Sequence, residues 1–116
     1  MIAGIELAKA CALAADENKA EDIKVLDVSG LSPITDFIVI CSGTSMPHLK
    51  AIMRDIGKDV QQKLNEQPHS SDGNPDARWI VLDYVNVMVH VMLEDMRTLY
   101  ALEDLWENAV TVDWES

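Results

Sequence analysis

The residues of this chain that could do chemistry are concentrated in "CSGTSMPH", Cys41 to His48, which holds a thiol, three hydroxyls, a glycine and an imidazole. The apolar run "DFIVIC" leads into them and Pro47 stands among them. A strand that ends in a small-residue turn beneath a helix N-terminus is the outline of a phosphate site. Each phosphate chemistry also needs particular residues at fixed spacing. A cysteine nucleophile working on phosphate needs an arginine six positions on to neutralise the bound group, and that position is Pro47. A nucleotide P-loop needs a second glycine followed by Lys and Ser or Thr; here Gly43 stands alone and Lys50 lies a turn inside the next helix. A nucleotidyltransferase holds two metal ions between alternating acids. The first acid after Gly43 is Asp55, and its partner position is Gly57. The turn therefore reads as a strand-to-helix connection with a helix cap, and no catalytic residue is assigned to it.

The histidines give no metal site either. His48, His69 and His90 are far apart and show none of the spacings that mark zinc. His48 is expected in the first turn of a helix, His69 in a loop, and His90 in an apolar strand as a hydrogen-bonded core or interface residue. No metal and no cofactor is expected.

The elements that must position these groups follow from periodicity. Ile2, Ile5, Ala8 and Ala12 recur at helical spacing, which predicts an amphipathic helix to about Asn18. "DIKVLDVS" reads as a strand, and "DFIVIC" as a strand covered on both faces. Thr44 or Ser45 caps the next helix, with Pro47 in its first turn and Leu49, Ile52, Met53, Ile56, Val60 and Leu64 along one face. "NEQPHSSDGNPDA" is expected to be a mobile polar loop. "RWIVLDYVNVMVHVML" predicts two antiparallel strands joined at Val85-Asn86, or one long bent strand. "EDMRTLYALEDLWENA" predicts a single helix with Glu94 and Asp95 in its first turn, and "VTV" a short last strand. The expected class is α/β: one domain over residues 1–116, with a mixed four- to five-stranded sheet flanked by helices. The middle helix would serve as a right-handed crossover between parallel strands.

Charge narrows the partners. Twenty acids against nine Lys and Arg give a net charge of −11, which disfavours direct nucleic-acid binding because such binding rests on Lys and Arg neutralising phosphates. Cys11 and Cys41 both fall in apolar segments and suit a reducing compartment. Glu6 and Lys9 interrupt the apolar start, which is read as neither a signal peptide nor a membrane span. A cytoplasmic protein is expected. The last third of the chain carries Trp79, Tyr84, Tyr100 and Trp106 framed by Asp83, Glu94, Asp95, Glu103, Asp104 and Glu107. Large amphipathic rings dominate interface hot spots, and surrounding acids suit a basic protein surface.

With these segments on the page, "DIKVLDVSGLSPITDFIVICSGTSMPHLKAI" and "WIVLDYVNVMVHVMLEDMRTLYALEDLW" together resemble the ribosomal silencing factor, or Iojap-like, family. The resemblance runs from about Lys19 to Trp106. It rests on Asp22, Asp27 and Asp36, the Ser42-Gly43-x-Ser45 turn, the Trp79 to Tyr84 strand, Val89-His90, and Glu94, Arg97, Tyr100, Leu102, Glu103, Leu105 and Trp106. It implies a nucleotidyltransferase-like topology without the catalytic residues, and no enzyme activity. It also implies a translation repressor that binds large-subunit ribosomal protein fourteen at the intersubunit face and blocks subunit joining when nutrients are short. The partner-binding residues it points to are Trp79, Leu82, Asp83, Tyr84, His90, Glu94 and Tyr100. The chain departs from the family pattern at Val85-Asn86, where Gly-Asp is common, at Asp72-Gly73 for Glu-Gly, at Phe37 for Tyr and at His48 for Gln. Two other readings are a residual nucleotide-binding enzyme using Ser42 to Ser45 and a generic dimerising module; a homodimer of the free protein is compatible with the first reading as well.

Overall fold

The structure is a computed structural model that describes residues 4–72 and 78–115. The chain opens with helix α1 (Gly4–Glu17), whose alanines and Cys11 form the buried stripe and let it lie close to the sheet. Strands β1 (Glu21–Asp27) and β2 (Phe37–Gly43) follow as an antiparallel pair. Helix α2 (Met46–Leu64) starts at Ser45, whose Oγ accepts the backbone N–H of His48 at 3.2 Å. Of the two candidate caps the chain therefore uses Ser45. Asn65, in the left-handed region at φ 55°, closes the other end by donating its N–H to the Gln61 carbonyl. The buried stripe of α2 is Leu49, Ile52, Ile56 and Val60, while Met53 and Leu64 are half-buried at its margin.

Beyond α2 the sheet is extended by β3 (Ser70–Asp72), β4 (Trp79–Asp83) and β5 (Val87–Leu93). The polar loop expected over 65–77 thus contains an edge strand: Ser70, Ser71 and Asp72 pair antiparallel with Asp83, Leu82 and Val81. Ladder hydrogen bonds need no apolar side chains, so composition hid it. Residues 73–77, the rest of that loop, lie outside the described residues. β4 and β5 form the expected hairpin, and β5 runs parallel to β2. The α2 crossover therefore reaches its parallel neighbour only after passing through β3 and β4.

The single helix expected after β5 is broken. Helix α3 (Glu94–Tyr100) ends where Ala101 turns left-handed at φ 48° and donates its N–H to the Arg97 carbonyl, and α4 (Leu102–Leu105) begins at once. Strand β6 (Val110–Val112) pairs antiparallel with β1. The six-stranded sheet has the order β3-β4-β5-β2-β1-β6, at least one strand more than expected, with β3 as the addition.

The core lies on one face of this sheet. Val25, Val39, Cys41, Ile80, Val87, Val89 and Val91 point to it and are sealed by α1 and α2. Each such aliphatic side chain contributes roughly 1.5–3 kcal/mol by leaving water. A smaller cluster of Leu26, Val28, Ile38 and Ile40 lies on the other face, under Trp106 and Ala109.

Candidate functional site

The β4–β5 register decides what the second face carries. Val81 lies opposite His90 and Trp79 opposite Met92, so Trp79, Val81 and Asp83 of β4 share a face with Met88, His90 and Met92 of β5. The indole N–H of Trp79 donates to His90 Nδ1 at 3.1 Å, which fixes the proton of the neutral imidazole on Nε2. Burial pushes the His90 pKa down to about 4, so the ring is neutral at physiological pH. Tyr100, at the end of α3, packs on Trp79 with ring centroids 5.1 Å apart. Trp79 and His90 line an apolar groove of about 270 Å³ together with Ile34, Ile38, Met88, Leu105 and Trp106. Its rim is exposed and hydrophobic: Ile34 is 73 % and Leu105 69 % accessible. Contiguous apolar surface of this kind marks an interaction site on a soluble domain.

The seven residues singled out from the sequence separate in space. Trp79 and His90 come together in the groove, and Tyr100 packs on the Trp79 ring beside it. Asp83 is on the same face at the end of β4, where its Oδ1 accepts the Val85 N–H at 2.7 Å. Leu82 and Tyr84 require correction: strand alternation turns them to the helix-covered face, where they are 2 % and 6 % exposed members of the main core. Burial, with Cys11 and Glu66 nearby, pushes the Tyr84 phenol above its usual range. Glu94 is exposed in the first turn of α3 but lines a separate polar pocket with Asp22, Arg97 and Asp104. The groove residues missed were Ile34, Ile38, Met88, Leu105 and Trp106. Pairing β4 with β5 about the Val85-Asn86 turn would have placed Met88 beside Asp83, since the even-numbered positions of "VMVHVML" carry the only polar residue of that strand.

The turn at Cys41 to His48 is closed on itself. Cys41 and Ser42 are fully buried, and burial pushes the Cys41 thiol up to about 12. Ser42 Oγ accepts from Arg97 Nη1 at 2.9 Å. His48 Nδ1 accepts the backbone N–H of Thr44 at 2.9 Å, and its Nε2 then donates to the Asn18 carbonyl at 2.8 Å, tying the start of α2 to the end of α1. Gly43 gives close packing here, because a Cβ at that position would stand 2.6 Å from Leu49 Cδ2 and the buried Leu49 side chain would have to shift. The Thr44 and His48 N–H groups and the Ser42, Thr44 and Ser45 hydroxyls are thus engaged within the fold. Arg97 also donates from Nε to Glu103 Oε1 at 2.6 Å, while Lys24 Nζ meets Glu103 Oε2 at 2.9 Å. The break at Ala101 is what returns Glu103 to this position, and it holds α3, α4, β1 and β2 together.

A mixed α/β domain with a sealed helical face, an occupied strand-to-helix turn and an uncovered aromatic groove defines a class of binding domain on an open sheet. Residues 3–116 match the family model "Ribosomal silencing factor during starvation", and the chain belongs to that family. It is 40% identical over 105 residues to the ribosomal silencing factor RsfS of Bacillus subtilis, covering 90% of this chain and 88% of the relative. It is 35% identical to the mouse mitochondrial assembly of ribosomal large subunit protein 1, covering 78% of this chain and 40% of that protein. A crystal structure of a Chromobacterium violaceum protein superposes with a TM-score of 0.86 at 27% identity, covering 91% of this chain and 88% of the other. Among the described residues no helix is long and apolar enough to cross a membrane.

Proposed function

We propose that this chain represses translation by steric occupation: it binds the large ribosomal subunit through a basic protein, ribosomal protein fourteen, and so blocks joining of the small subunit. The observation that carries the reading is the groove of Trp79 and His90, with Tyr100 packed on Trp79, an uncovered apolar site on a chain of net charge −11. Aromatic anchors in such a groove supply the binding energy, and the acids around it speed encounter with a basic surface. The same charge disfavours RNA as the direct partner.

The protein acts by binding and not by turnover. A nucleotide at the Ser42 to Ser45 turn would have to displace Arg97 from Ser42 and His48 from Thr44, and the Cys41 thiol is protonated and enclosed. Titration with nucleoside triphosphates and Mg²⁺ is expected to give no saturable signal; micromolar binding would restore the enzyme reading.

Co-sedimentation with separated ribosomal subunits at two salt concentrations tests the proposal. Retention by the large subunit alone is expected, weakening as salt rises. Replacing Trp79 by Ala is expected to weaken retention by about 2 kcal/mol, the magnitude of an aromatic hot spot. Retention of a folded Trp79→Ala variant at full strength would move the interface elsewhere. A dimer in light scattering with no retention at all would leave only the dimerising module.

A further inference from the structure

The groove over β4 and β5 holds few polar atoms, and most are engaged within the fold. Ser32 Oγ accepts the Ile34 and Thr35 N–H groups at 3.1 and 3.4 Å, and Thr35 Oγ1 donates to the Phe37 carbonyl at 3.4 Å. The Trp79 N–H is spent on His90 Nδ1 at 3.1 Å. That bond leaves the His90 proton on Nε2, at the end of the ring away from the strand. Among the described residues Nε2 has no hydrogen-bond partner, and unlike Arg97 Nη2 it is not sealed from solvent. His90 stands on the open face of the sheet and lines the groove, so its Nε2–H is presented there. Burial lowers its pKa to about 4 and keeps the ring neutral, so the group on offer is an N–H without charge.

An N–H fixed in an apolar groove selects by hydrogen-bond type. Lys and Arg side chains carry donors only. Against His90 they would set donor against donor and lose their hydration, with nothing to offset the cost. A carboxylate would accept the bond, but Asp83 on the same face and the net charge of −11 oppose it. A neutral amide carbonyl meets both conditions: it accepts, and it brings no charge into an apolar space. The surrounding volume of about 270 Å³, walled by Ile34, Ile38, Met88 and Leu105, suits an aliphatic side chain beside that carbonyl.

We propose that His90 is the specificity-determining residue of the groove: its Nε2–H donates to an amide carbonyl of the partner protein, whose neighbouring aliphatic side chain fills the groove. This rests on the large-subunit reading and refines it. The partner's basic residues stay outside and act through charge at longer range, while the groove reads an uncharged segment.

Two substitutions separate the roles of the ring nitrogens. Asparagine places its carbonyl oxygen near the position of Nδ1, so His90→Asn keeps an acceptor for Trp79 and removes the groove donor. Glutamine places its amide nitrogen near the position of Nε2, so His90→Gln keeps the groove donor and gives up the Trp79 bond. Both are compared with the parent by co-sedimentation with the large subunit, at a temperature where melting curves show all three folded. Retention is expected to weaken about tenfold in His90→Asn and to stay within about threefold of the parent in His90→Gln. The salt dependence of retention is expected to be the same in all three, because the contact carries no charge. The reverse order, equal loss in both variants, full retention of His90→Asn or a shallower salt slope in it overturns the proposal. So does a histidine nitrogen NMR spectrum of the free parent at neutral pH that puts the His90 proton on Nδ1, the signal being assigned by its absence from His90→Gln. Absence of retention by the parent removes the large-subunit reading and this one with it. Failure at His90 while Trp79→Ala still weakens retention leaves the large-subunit reading standing.

Discussion

The two faces of the sheet are made from alternate residues of the same strands and serve opposite ends. On one, Ile80, Val87, Val89 and Val91 are closed off by α1 and α2 and are at most 1 % exposed. On the other, Trp79, Met88 and His90 are half-buried; Trp106, just past α4, covers the β1–β2 half and a groove is left over β4 and β5. The covered face holds aliphatic residues that pack without polar atoms. The open face holds rings with a polar handle, the kind that keep a hydrogen bond while waiting for a partner. Stability is therefore concentrated on one side of the strands, and the face proposed for recognition is the other.

Substitutions can break this contrast, and the largest effect is expected on the covered face. Ile80→Ala should lower unfolding free energy by about 3 kcal/mol in denaturant titration, since it opens a cavity under the helices. If it cost no more than a groove residue, the division between faces would fail.

Next comes a titratable group built into the open face. His90 has its pKa lowered to about 4 from 6.5 by burial, so between those values the unfolded chain binds more protons than the folded one. Its contribution is complete above pH 6.5 and is lost as pH falls through 4, by an amount on the order of 2–3 kcal/mol. Acid unfolding of the parent and of His90→Gln checks this: the variant should lose less stability over that interval.

A smaller gain is expected at the rim. Val85 sits at φ 75° in the hairpin turn, where the Asn86 N–H donates to the Tyr84 carbonyl at 3.0 Å; this is the strained form of a three-residue turn for a β-branched residue. Val85→Gly should raise stability by about 1 kcal/mol, the relieved strain outweighing the added chain entropy, as thermal melting would show. The smallest effect belongs to the groove itself. Leu105 is 69 % exposed, and Leu105→Ala should change stability by less than about 0.5 kcal/mol while weakening large-subunit retention.

Much of this architecture was legible in order and type. The stripe Leu49, Ile52, Ile56, Val60 reads directly as a helix face, and "VMVHVML" as a strand, because a repeating apolar pattern is a local property of the chain. What escaped were features set by distant partners. Ser70 to Asp72 became a strand only because β4 offered a free edge. The helix after Leu93 broke at Ala101 because Arg97, Lys24 and Glu103 form an ion cluster that a continuous helix would not assemble. Within the proposed site, the aromatic types direct attention to the last third of the chain, and Leu82 and Tyr84, grouped there with the partner-binding residues, fall on the helix-covered face. Both alternations of β4 are largely apolar, so composition could not say which one the helices cover.

By itself, the sequence determined the α/β class, the missing phosphate chemistry at Cys41 to His48, the acidic charge and the family, since these depend on residue types, spacings and sums. Only the tertiary structure decided which side chains of β4 and β5 face solvent, and that His48 and Arg97 occupy the donors and hydroxyls of the turn. Those outcomes depend on register and on contacts between residues up to 55 positions apart, which no local pattern encodes.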